Sequence, residues 1–120
     1  MGGGRTLKLG TWGEEIAANY LKRKGYEVIE KNYRNKIGEI DLILLKDSAI
    51  IFVEVKTRKN LSYGLPCEAI TKEKKHHITR TANYYRKENN LEFMDMRMDV
   101  VEILIQEGKT YIHHIENAFS

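Results

Sequence analysis

The chain has 120 residues, one cysteine, a net charge of +3 and 42% hydrophobic residues, which bounds it to one domain around one core and excludes an internal disulfide or a cysteine-rich zinc site. No apolar run approaches the roughly 20 residues of a membrane helix, and the opening MGGGRTLKLG has no apolar segment of the signal-peptide kind. The single Cys67 fits a reducing, cytoplasmic setting, and the mild positive charge permits a nucleic-acid partner without demanding one.

Residues 1–9 read as a flexible terminus ahead of a domain over 10–120. MGGGRT fits a myristoylation pattern and Asn60-Leu61-Ser62 a glycosylation pattern, but both patterns are too short to carry weight. A first helix is expected over Thr11–Lys24, with Thr11 as cap, Glu14 closing a capping box and Gly25 as the stop. Trp12, Ile16, Ala17, Tyr20 and Leu21 recur at helical spacing along it. YEVIEKNYR reads as a strand, and GEIDLILLKDSAIIFVEVKTR as two more. KNLSYGLPCEA reads as a loop broken by Gly64 and Pro66. A second helix is predicted over Thr71–Asn89, burying Ile78, Thr81, Ala82 and Tyr85. MRMDVVEILI and TYIHHI are strands joined by a tight turn at QEGK. Together these predict a single α/β domain, a mixed five-stranded sheet flanked by helices.

The two central strands pose a problem in electrostatics. They are apolar and β-branched, yet Glu39, Asp41, Glu54 and Lys56 interrupt them. A hairpin turning at Asp47-Ser48 pairs Lys46 with Ala49, and counting outward sets Asp41 opposite Glu54 and Glu39 opposite Lys56. Side chains so opposed lie about 4.5–5.5 Å apart at Cβ, where like charges destabilise a sheet. A divalent cation would compensate, since hard ions take carboxylate oxygens. Lys56, two residues beyond Glu54 on the same face, could then hold a phosphate or orient a water. Glu14 could bring a third carboxylate if its helix packs on the hairpin. The plainer alternatives are a Glu39–Lys56 ion pair on an edge strand and a Glu14 that only caps its helix.

Asp41 and Glu54-Val55-Lys56 resemble the D…(D/E)-x-K signature of restriction-endonuclease-like nucleases. The longer set GEEIAANYLKRKGYEVIEKNYR, GEIDLI, FVEVKTR, YGLPCEAIT and RMDVVEI resembles the YraN-like family of small bacterial proteins, from Gly10 to about Ile103. That family is similar in its core to archaeal Holliday-junction resolvases. The resemblance implies a restriction-endonuclease-like fold. It implies metal ligation by Glu14, Asp41, Glu54 and the Val55 carbonyl, and catalysis by Asp41, Glu54 and Lys56. Ile40 stands where the nuclease motif often has proline.

Two basic clusters suit phosphate contacts: Arg58 and Lys59 after the strand, and Lys72, Lys74 and Lys75 opening the second helix. For any single lysine among them a solvated helix face is the plainer reading. Tyr63 could stack on a base or pack. His76 and His77 diverge by about 100° on a helix, and His113 and His114 point to opposite faces of a strand, so neither pair chelates a metal. Arg97 and Asp99 share a strand face and read as structural. The expected activity is a Mg2+- or Mn2+-dependent endonuclease acting on DNA, branched DNA included, as a homodimer if the substrate is a junction. The rivals are a non-catalytic nucleic-acid-binding or adaptor module with a residual metal site, and a purely structural partner protein.

Overall fold

The computed structural model describes residues 9–59 and 70–119. The expectations for the N-terminal glycines, Asn60-Leu61-Ser62, Tyr63 and Cys67 lie outside these residues. Helix α1 (Leu9–Arg23) is followed by strands β1 (Glu27–Arg34), β2 (Glu39–Lys46) and β3 (Ala49–Arg58), helix α2 (Lys72–Glu88), and strands β4 (Asp95–Gln106) and β5 (Lys109–Ile115). The strands form one sheet in the order β1-β2-β3-β4-β5. Among the described strands only β3 and β4 run parallel, and α2 lies in the crossover that parallel neighbours need.

Each helix covers one face. Ile78, Ala82 and Tyr85 of α2 pack on Ile43, Ile50, Phe52, Met98 and Val100. Ala17, Ala18 and Leu21 of α1 pack on Leu42, Leu44, Ile51, Val53, Val101 and Ile103. Because strand side chains alternate, the central strands are apolar on both faces and read as continuous hydrophobic runs.

Helix α2 begins and ends as its sequence predicts. Thr71 is its N-cap and accepts the Lys74 N–H, Asn89 is its C-cap, and Ile78, Thr81, Ala82 and Tyr85 are its buried residues. At the end of α1, Gly25 takes φ +94. Its N–H bonds Lys22 and the Tyr26 N–H bonds Leu21, the two bonds of a Schellman stop. The start of α1 differs from expectation. The helix already includes Leu9 and Gly10, so Thr11 lies inside it and the Thr11–Glu14 capping box is not made. Among the described residues, no helix is long and apolar enough to cross a membrane.

Candidate active site

The hairpin register is the one counted from its turn: Lys46 pairs with Ala49, and each step outward adds a pair as far as Leu42 with Val53. The backbone ladder stops there. Asp41 and Glu54, one step further, face each other without ladder bonds, and Asp41 Oδ2 instead accepts the Val55 N–H at 2.7 Å. A carboxylate has thus taken a donor that a strand carbonyl would otherwise satisfy. Glu39 does not reach Lys56. It is exposed and pairs with Arg34 of β1 at 2.7 Å, because the β1–β2 register sets Arg34 beside it. The alternative of a Glu39–Lys56 ion pair is therefore not realised, although Glu39 still borders the same cleft.

That cleft has a volume of about 330 Å3 and brings together Glu14, Glu39, Asp41, Glu54, Lys74 and His77. Glu14 gets there because α1 approaches β3 very closely. A Cβ on Gly13 would collide with Thr57 Oγ1, so only glycine lets the helix sit this near the strand. On the other side, Gly38 lies under α2, where an added Cβ would come within 2.8 Å of the His77 ring and 2.7 Å of Thr81 Oγ1. These two glycines and His77 carry no periodicity signal, because what they meet is distant in sequence. A second cleft of about 410 Å3 lies at the opposite end of the strands, around Asp47, Ser48, Ala49, Asp95 and Arg97. It holds none of the predicted site residues.

The acids are crowded. Asp41 is pushed up from 3.8 to about 8 by burial and by the Glu54 charge, with Glu14 adding to the effect and the Val55 N–H opposing it. Glu54 is 8% exposed, and its Oε2 faces two ammonium groups: Lys74 Nζ at 2.7 Å and Lys56 Nζ at 3.6 Å. Burial and the neighbouring Lys74 hold Lys56 below its usual value, against the pull of Glu54. Burial alone would lower Lys74, but its contact with Glu54 and the acids beyond it raise it.

The donor set fits a hard divalent cation in type. Glu14, Asp41 and Glu54 supply carboxylate oxygens, and the Val55 carbonyl leaves its strand on the same side as the N–H that meets Asp41. Burial first, and then the Glu54 charge, disfavour the ionised form of Asp41. Among the described residues, no three acids, histidines or cysteines are already drawn around one ion-sized point. The lysines stand in that role.

Of the predicted phosphate contacts, Lys59 and Lys72 are exposed, Arg58 is half-buried, and Lys75 is half-buried with its ammonium 5.8 Å from the Phe119 ring centre. Lys74 is turned inward to Glu54 rather than outward. Sequence reasoning passed over Glu102, a buried acid whose Oε1 lies 3.3 Å from His113 and whose Oε2 has no hydrogen-bond partner. It is in register with Lys56. An acid interrupting VVEILI is the signal that marked Asp41. Arg97 and Asp99 are structural: Asp99 is fully buried and gathers Arg97, His114 and the Asn117 N–H beneath α1.

A family model described as uncharacterised protein family UPF0102 matches residues 13–103. The UPF0102 protein of Alkaliphilus metalliredigens is 50% identical over 111 residues, covering 92% of this chain and 96% of that one. That of Clostridioides difficile is 48% identical over 110 residues, covering 92% and 95%, and that of Syntrophomonas wolfei 46% over 112 residues, covering 93% and 97%. A match through the helix, the hairpin and most of β4, with relatives aligned almost end to end, means that the chain belongs to the uncharacterised protein family UPF0102, the YraN family its motifs resemble.

Proposed function

We propose that this protein is a metal-dependent endonuclease that hydrolyses DNA phosphodiester bonds, with branched DNA among its substrates, in the cytoplasm. The observation that carries this reading is the pairing of Asp41 with Glu54 where the β2–β3 ladder ends. There two carboxylates share a cleft with Glu14, and Lys56 follows on the strand. Asp41, Glu54, Glu14 and the Val55 carbonyl would hold Mg2+ or Mn2+. The bound ion would polarise the scissile phosphate and lower the pKa of a water.

The chain's own groups do the rest. Lys56, partly sheltered beside Glu54, positions the attacking water or stabilises charge developing on the phosphate. Arg58 closes β3 and Lys59 follows it, and Lys72 and Lys75 open α2; these cations would hold the neighbouring phosphates. A second reading is a nucleic-acid-binding or adaptor module with a residual metal site. It is favoured by the lysine neutralisation of Glu54, which balances the site without any metal.

Calorimetric titration of Mn2+ into wild type and Asp41→Asn, with cleavage of a labelled four-way junction assayed on the same samples, separates the two. Binding and cutting by wild type, both lost in the variant, is the expected outcome. DNA binding with no metal uptake by wild type leaves the adaptor module.

A further inference from the structure

We infer that Lys74 is the resident counter-ion of the acidic cleft: it holds Glu54 until a metal binds, and is then released to take a substrate phosphate. The inference rests on the metal reading above and extends it to the order in which the site is filled.

The geometry that carries it is local. One buried carboxylate oxygen, Glu54 Oε2, has ammonium groups at 2.7 and 3.6 Å. The two lysines are held differently. Lys56 belongs to β3 and its side chain is 20% exposed, whereas the Lys74 side chain is 43% exposed and rises from the first turn of α2. The Lys74 backbone is fixed, since its N–H donates to the Thr71 cap at 3.1 Å. Only the flexible stem needs to move for the ammonium to reach the open cleft.

A lysine is a compact point charge on four rotatable carbons, suited to such exchange. A divalent ion held by Asp41 and Glu54 would sit beside that ammonium and repel it, so ion and Lys74 compete for Glu54. The released ammonium lies over the same cleft, where the scissile phosphate must approach Asp41 and Glu54. Lys74 therefore serves as a switchable phosphate contact, silent while it neutralises Glu54.

The test uses the full chain, stripped of metal, as wild type, Lys74→Met and Lys74→Arg. Mn2+ affinity is measured by calorimetry. Affinity for a fluorescein-labelled duplex is measured by anisotropy with and without Ca2+. Removing a charge-assisted contact from Glu54 should tighten Mn2+ binding about tenfold in Lys74→Met, while Lys74→Arg keeps wild-type affinity. Ca2+ should widen the gap in DNA affinity between wild type and Lys74→Met, because only wild type gains a freed ammonium. If wild type takes up Mn2+ but Lys74→Met binds it no more tightly, the exchange is overturned and the metal reading survives. A DNA-affinity gap that Ca2+ leaves unchanged overturns it equally. Failure of both wild type and Lys74→Met to bind Mn2+ overturns the inference and the metal reading together.

Discussion

Asp41 Oδ2 accepts the Val55 N–H at 2.7 Å, where the backbone bonds between β2 and β3 have just ended. The bond fixes the carboxyl group in place, half-buried beside Glu54. Unfolded, the group ionises near 3.8; folded, it holds its proton to about 8. The unfolded chain therefore releases this proton first. The metal-free protein should lose stability as pH rises through that window, and divalent-ion affinity should climb toward pH 8 as the proton leaves. Asp41→Asn keeps an oxygen for Val55 and removes the titration. Thermal melts without metal should show the variant more stable than wild type at pH 8, by at least about 1 kcal/mol or roughly 4 °C, with the two converging below pH 4. Parallel pH profiles would refute the buried-proton account.

Gly13 sets how far Glu14 reaches. A Cβ there meets Thr57 Oγ1, so Gly13→Ala should push α1 away from β3, cost about 1–3 kcal/mol by overpacking, and weaken Mn2+ binding by withdrawing the third acid. Thr57→Ala removes the obstructing hydroxyl. The double variant should regain much of the stability and metal affinity, a coupling that a double-mutant cycle measures directly. Strict additivity of the two substitutions would mean that the contact does not position Glu14.

These two residues mark the boundary of what the sequence discloses. The hairpin register was countable because a turn at Asp47-Ser48 sets the pairing unless a bulge intervenes, and none does as far as Leu42–Val53. The buried face of α2 was readable from its period and its ends from capping chemistry. The loss of the last rungs was not readable, because it arises when a side chain captures a backbone donor. Nor was the inward turn of Lys74, which depends on where α2 docks over Glu54, twenty residues earlier in the chain. Thr11 and Glu14 show the same limit from the other side: the local capping signal is not used, because Thr11 lies inside the helix, and Glu14 borders the cleft instead.

The network beneath α1 offers a control on the opposite face of the sheet. Burial would push Asp99 up, but His114, Arg97 and the Asn117 N–H together hold it below the usual carboxylate range. Its contribution is complete above the unfolded value of 3.8 and is lost as pH falls through the lower folded value. Asp99→Ala should cost about 3 kcal/mol at neutral pH and flatten the acid limb of a urea-denaturation series, while the Mn2+ titration of the folded variant stays that of wild type. An altered Mn2+ affinity would tie this network to the site.

Lys59, after β3, and Lys72, opening α2, are exposed, and on the proposed nuclease reading they would hold phosphates flanking the scissile one. Each neutralised phosphate adds about 0.9 to the slope of log affinity against log salt on duplex DNA. Lys59→Ala/Lys72→Ala should therefore lower that slope by up to about 2 and weaken binding to every sequence alike, with Mn2+ affinity and melting temperature unchanged. Lys75, whose ammonium lies near the Phe119 ring, should behave differently, because its substitution also removes packing and shows in the melt. A salt slope that the double variant leaves intact would place the DNA on another face of the molecule.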